Sequence, residues 1–185
     1  MMVAPIIQSP MCKGLNMTRF FMLLCAAFMV ACAPAQTDTQ VTTEIYLVRH
    51  AEKTTAADDP ALTAIGTARA EALSLRLADA GVTQIFSTDT LRTRDTAAPL
   101  AARLGLDVTL YDASDLPAFA AQLKATPGTH LVVGHSNTTP QLVEALGGDG
   151  GTPIVEATEY DRLYIVRMGE DGVFSSVLER FGVGN

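Results

Sequence analysis

The sequence predicts an α/β fold in three layers: a mostly parallel sheet flanked by helices, with antiparallel strands at its C-terminal end. Three observations carry this. Short apolar runs alternate with stretches whose apolar residues recur at helical spacing. Gly, Pro, Thr and Asp punctuate the junctions between them. The last two runs, Arg162–Met168 and Val173–Glu179, are joined by Gly169-Glu170-Asp171-Gly172, a hairpin signal.

The elements follow in order. Glu44–Val48 alternates, turns apolar and ends at Arg49-His50, reading as a first strand. Residues 51–60 are polar and close at Pro60, as a loop does. Thr63 is placed to cap a helix in which Ala64, Ala68, Ala72, Leu75 and Ala78 recur up to Ala80, where Gly81 stops it. Thr83–Ser87 is a short second strand, and Thr90–Leu104 a second helix ended by Gly105. Asp107–Tyr111 is a third strand. Leu116–Ala125 is a third helix, with Asp115 as its cap. Thr129–Val133 is a continuous apolar strand running into Gly134-His135, and Pro140–Leu146 a helix that runs into Gly147-Gly148. No internal repeat is visible.

Charge and cysteine usage narrow the function. Of 13 Lys and Arg, only Lys13 and Arg19 precede residue 32, leaving 11 against 20 Asp and Glu, a balance of −9. Such a surface repels polyphosphate backbones and argues against nucleic-acid binding. All three cysteines (Cys12, Cys25 and Cys32) lie upstream of the folded part. The domain therefore has no internal disulfide, thiolate zinc site or cysteine nucleophile.

Phe20–Ala31 is a 12-residue apolar run preceded by Arg19 and Lys13, which fits a signal peptide over residues 1–31, with Met17 as an alternative start. It is shorter than the roughly 20 residues a membrane span needs. Met29-Val30-Ala31-Cys32 resembles a lipoprotein box, which would make Cys32 the lipidated N-terminus of an exported periplasmic or cell-envelope protein. Cleavage after Ala33-Pro34-Ala35 would instead release a soluble secreted protein. Residues 32–43 read as a polar tether and 44–185 as the folded domain.

The chemistry-bearing residues fall at strand ends. Arg49 and His50 end the first strand, Ser87, Asp89 and Arg92 follow the second, and Gly134, His135 and Asn137 follow the fourth. In open α/β sheets ligands bind outside the carboxyl ends of the strands, so three segments deliver these residues to one rim. A neutral imidazole is a good nucleophile. Arginine forks match phosphate oxygens, and a second histidine can donate to a non-bridging oxygen. The set implies phosphoryl transfer and needs no metal ion or other cofactor.

Three segments carry a resemblance. Val48-Arg49-His50-Ala51-Glu52 resembles the R-H-G-E signature of the histidine phosphatase (phosphoglycerate-mutase-like) superfamily. Ser87-Thr88-Asp89-Thr90-Leu91-Arg92-Thr93-Arg94-Asp95-Thr96-Ala97 resembles its S-S-P-L-x-R-A-x-Q-T-A segment, and Val133-Gly134-His135-Ser136-Asn137 its V-G-H-S element. They occur in the family's order within residues 44–180. The resemblance implies that His50 becomes phosphohistidine while Arg49, Arg92 and His135 hold the phosphoryl group. Ala51, Lys53, Asp89 and Asp95 depart from the usual Gly, Thr, Pro and Gln.

A proton donor is not evident. Asp112, just beyond the third strand, is the first candidate, and Glu52 is another. Lys53, Glu52 and Asn137 are candidate substrate contacts; Asn137 is equally placed to cap the next helix. Lys53 reads equally as a solvated surface cation. Asp58-Asp59 reads as a solvated loop, although the resemblance implies that such loops border the pocket, and His130 reads as an edge residue of its strand. The expected function is a phosphatase acting on a small phosphoester or a phosphoprotein, phosphohistidine included. The alternatives are a phosphate-binding envelope lipoprotein without turnover and a phosphoglycerate mutase.

Overall fold

The computed structural model describes residues 43–55 and 58–182. The proposed signal segment, the alternative start at Met17, Cys32 and nearly all of the tether lie outside the described residues. No helix among those described is long and apolar enough to cross a membrane.

Four helices and a six-stranded sheet form the described domain: β1 (Thr43–Arg49), α1 (Ala64–Arg76), β2 (Val82–Ser87), α2 (Leu91–Leu104), β3 (Val108–Leu110), α3 (Leu116–Ala125), β4 (Gly128–Gly134), α4 (Thr138–Leu146), β5 (Arg162–Met168) and β6 (Phe174–Arg180). The sheet order is β3-β2-β4-β1-β5-β6. β1, β2, β3 and β4 pair in parallel, whereas β5 runs antiparallel to β1, and β6 to β5. The α/β class and its antiparallel C-terminal pair are as the sequence predicts.

Successive residues of a strand point to opposite faces, and the two cores divide accordingly. Tyr46, Val48, Leu131 and Val133 face α1 and α2, where they meet Leu73, Leu77 and Leu100. Ile45, Leu47 and Val132 face α3 and α4, with Phe119, Leu123, Leu142 and Leu146. Both faces of β1 and β4 are thus covered, which is why their sequences read as continuous apolar runs. Full burial of each such side chain stabilises the fold by roughly 1.5–3 kcal/mol.

Several local expectations shift. α1 stops at Arg76, before Ala80, because the chain tightens into turns (Ala78 N–H to the Leu75 carbonyl, Ala80 N–H to that of Leu77) and reverses at Gly81, with φ +71°. α4 begins at Thr138, two residues before Pro140. His130 is not an edge residue. It lies fully buried in β4, between β1 and β2, edge-on to Phe86, with Nε2 bonded to the Thr126 carbonyl at 2.9 Å.

The turn after β1 is fixed from α1. Thr63 accepts the Gly66 N–H at 3.0 Å as the helix cap. A Cβ on Gly66 would sit 2.2 Å from the Glu52 carbonyl oxygen, so this close approach requires glycine. Arg69, 1% exposed, donates from Nε and Nη2 to the Glu52 carboxylate at 2.7–3.0 Å and from Nη1 to the Phe181 carbonyl. Breaking a buried pair leaves a charge unpaired, at a cost of about 3–5 kcal/mol. Glu52→Ala is therefore expected to destabilise the domain by about that amount in chemical denaturation. Combining it with Arg69→Met should restore most of the loss; an unaltered midpoint for the single variant would contradict this structural role.

Candidate active site

Arg49 and His50 arrive at the rim on the central strand β1, bordered by β4 and β5. The His50 N–H donates to the Gly134 carbonyl at 2.9 Å, and the Ala51 N–H to Thr96 Oγ1 at 2.9 Å. These bonds tie the end of β1 to β4 and to α2. Thr96 Oγ1 in turn donates to the Arg92 carbonyl at 2.7 Å. The backbone carrying His50 and that carrying Arg92 are therefore joined through one hydroxyl.

His50 is 3% exposed. Its Nδ1 lies 2.8 Å from the Ala51 carbonyl oxygen. A carbonyl only accepts, so Nδ1 carries the proton and Nε2 keeps a free lone pair. Burial, then the charges of Arg49 and Arg92 and the neighbouring His135, push the His50 pKa down to about 3, against the raising effect of the Ala51 bond. The ring is thus held neutral, with the Nε2 lone pair unprotonated.

His135 stands edge-on to His50, with ring centroids 5.6 Å apart. Its Nε2 is 2.9 Å from Thr88 Oγ1, which donates to Thr93 Oγ1, so Nε2–H is the donor to Thr88. Burial, then Arg92 and Arg49, also lower the His135 pKa. That both histidines sense both arginines shows that three chain segments converge.

Arg49 is 2% exposed. Its Nη1 donates to the Glu159 carbonyl at 3.0 Å, and its guanidinium carbon lies 4.1 Å from the centroid of the Tyr160 ring, a cation–π contact. Nε and Nη2 of Arg49, and Nε of Arg92, are buried and find no acceptor among the described residues. Arg92 reaches Asp59 at 3.5 Å. The same Asp59 carboxylate accepts the Leu91 N–H at 2.9 Å, so it caps α2 rather than being merely solvated. Arg94, two residues on, pairs with Asp89 at the surface.

Other expected site residues lie elsewhere or act differently. Glu52 is committed to Arg69, which corrects its reading as an acid or substrate contact. Asp112 is exposed; its carboxylate accepts the Ser114 N–H at 2.8 Å, and that bond holds its pKa low. It lines a separate concavity of about 270 Å³ with Phe86, Tyr111 and Phe119. β3 lies three strands from β1, or ~14 Å at the usual spacing. A distant carboxylate stabilised as its anion is a poor proton donor, so the reading of Asp112 as the acid is also corrected. Asn137 stands at the α4 N-cap without a capping side-chain bond; Thr138 Oγ1 accepts the His135 N–H instead. Lys53 forms a bridge with Leu62 and lines a cavity with Thr55, Glu156, Ala157 and Tyr160. Among the described residues no group of three His, Cys, Asp or Glu is arranged to hold a metal ion.

Residues 45–113 match the family model of the histidine phosphatase superfamily (branch 1). Over that segment the domain is similar to this superfamily. Solved structures share its fold. The protein histidine phosphatase SixA, complexed with tungstate, is 19% identical with a TM-score of 0.60, over 75% of this chain and 95% of that one. A mycobacterial glucosyl-3-phosphoglycerate phosphatase is 14% identical with a TM-score of 0.59, over 77% and 100%. An Agrobacterium tumefaciens protein assigned as the phosphohistidine phosphatase SixA is 24% identical with a TM-score of 0.57, over 77% and 99%. None of the curated protein sequences compared with the chain is significantly similar to it.

Thr88, Thr96, Asp59, Glu159 and Tyr160 were not singled out by the sequence for the site. Thr88 and Thr96 lie inside the second motif, so their proximity was available; nothing in the sequence around Tyr160 signals its role.

The buried histidines carry a pH consequence. The unfolded chain takes up the His50 proton near 6.5, whereas the folded chain resists it down to about 3. The unfolded state then binds more protons throughout that interval, so stability falls as pH drops through it. In thermal melts between pH 7 and 4, His50→Asn is expected to lose less stability than the parent. Parallel curves would contradict a buried neutral His50.

Proposed function

We propose that this domain is a phosphatase that passes a phosphoryl group through a covalent intermediate on His50. The observation that carries the reading is the orientation of His50: Nδ1–H is fixed on the Ala51 carbonyl, leaving Nε2 as nucleophile beside buried guanidinium N–H groups without acceptors. In the first step Nε2 attacks phosphorus as the bond to the leaving oxygen breaks. Arg49 and Arg92 donate to the non-bridging oxygens and offset their charge. His135 exchanges its Thr88 contact for a phosphoryl oxygen. Water then attacks the phosphohistidine, releasing inorganic phosphate and the free imidazole. This chemistry calls on no metal ion. Its substrates are small phosphoesters or phosphoproteins; the structural likenesses to a protein histidine phosphatase and a sugar-phosphoglycerate phosphatase fit both.

We also propose export, with a lipid anchor at Cys32, on the sequence of residues 20–32.

Brief incubation with a ³²P-labelled phosphoester should yield an acid-labile, alkali-stable adduct lost in His50→Ala. Turnover in that variant should fall by at least about 1,000-fold. Arg49→Met should abolish the rise in melting temperature that inorganic phosphate gives the parent. Full turnover by His50→Ala would exclude the mechanism.

A further inference from the structure

We infer that the cavity of about 470 Å³ bounded by Lys53, Thr55, Glu156, Ala157 and Tyr160 receives an alcohol leaving group, and that Glu156 gives it its proton. The inference rests on the phosphatase reading above and supplies the acid that reading lacks.

The cavity adjoins the phosphoryl site through a shared wall. Tyr160 lines it, and the same ring lies 6.1 Å from the His50 imidazole and 4.1 Å beneath the Arg49 guanidinium. Lys53, on the cavity's rim, follows His50 by three residues. Glu156 is close enough for its charge to act on Arg49. A phosphoryl group held by Arg49 therefore has this cavity beside it, as the room into which an ester's organic part extends.

Four carboxylates around the rim are otherwise engaged. Glu52 is bound to Arg69, Asp59 to the Leu91 N–H and Arg92, Asp89 to Arg94, and Glu159 to Arg162 and Arg180. Glu156 forms no ion pair among the described residues, is exposed and opens on the cavity. Its carboxyl oxygens are therefore open to a group entering the cavity.

The step balances. As the His50 Nε2–P bond forms and the P–O bond breaks, the Glu156 carboxyl proton passes to the departing oxygen, yielding the alcohol and a Glu156 carboxylate. That carboxylate then takes a proton from the water attacking phosphorus. The P–N bond breaks, and phosphate, free His50 and the protonated acid result. Alkyl phosphomonoesters need this proton most, since an alkoxide is a poor leaving group.

The test compares an alkyl phosphate with 4-nitrophenyl phosphate, whose phenolate leaves unaided, using the full-length parent, Glu156→Gln and Glu156→Asp. Glu156→Gln should lower the alkyl-to-aryl ratio of kcat/KM by about 100-fold. Glu156→Asp should recover part of that ratio. An unchanged ratio, with the parent active and its His50 adduct present, would overturn the inference alone. A parent that hydrolyses neither ester and forms no adduct would overturn the phosphatase reading, and this inference with it.

Discussion

Arg49 places a guanidinium inside the protein with only part of its hydrogen-bonding capacity used. One nitrogen reaches the Glu159 carbonyl and the plane lies over Tyr160, but Nε and Nη2 stay buried without an acceptor. Burial alone pulls the Arg49 pKa down, the mark of a charge held where water would serve it better. An unpaired buried donor costs about 1–3 kcal/mol, more when it is charged. Such a group persists only if the surrounding fold enforces it, and it gains most from an anion that completes its bonds. The remaining features of the rim either hold this cation in place or exploit it.

The enforcement comes from elements far apart in sequence. β1 is central and packed on both faces, so the backbone at Arg49 has little freedom to move away. The Glu159 carbonyl that receives Arg49 sits on a segment pinned by its own side chain. Glu159 accepts from Arg162 and from the Val155 N–H, and the first of these bonds leads in pulling its pKa down to about 2. Arg162 is bonded further to the Thr152 carbonyl and to Tyr164, whose hydroxyl donates to the Gly150 carbonyl. These contacts set the loop before β5, and through it the position of Tyr160. Burial first, and then the positive field so fixed, lower the pKa of both His50 and His135. An acidic chain thus sets two arginines, Arg49 and Arg92, at a rim where its overall charge would otherwise repel an anion.

How much of this was legible depends on the kind of signal involved. Strands covered on both faces announce themselves as apolar runs, and β1, β2 and β4 were read to within two residues at each end. Residues at the ends of parallel strands are predictable because topology alone carries them to one rim; hence Arg49, His50, Arg92 and His135 were accessible. Pairings between side chains distant in sequence were not. Nothing around Glu52 reveals that Arg69, seventeen residues on, lies buried against it, so an acidic residue two places after His50 read as catalytic. Asp112 misled for another reason. It does follow a parallel strand, but β3 is the edge strand farthest from β1 on that side, and strand order is not written in local sequence.

Strand direction explains the largest omission. The carboxyl rim of β1 would be flanked only by other carboxyl ends if the sheet were wholly parallel. Because β5 runs antiparallel, with Leu163 opposite Val48, it is its beginning that meets that rim. The loop before β5 therefore lands beside the end of β1, and its residues Glu156, Glu159 and Tyr160 border the site without belonging to any motif. The hairpin signal at residues 169–172 already implied an antiparallel pair, but not which strand that pair would join. Once β5 is set against β1, a loop that reads as featureless becomes the wall next to Arg49. The acidic group that sequence order seeks after a parallel strand is instead available ahead of an antiparallel one.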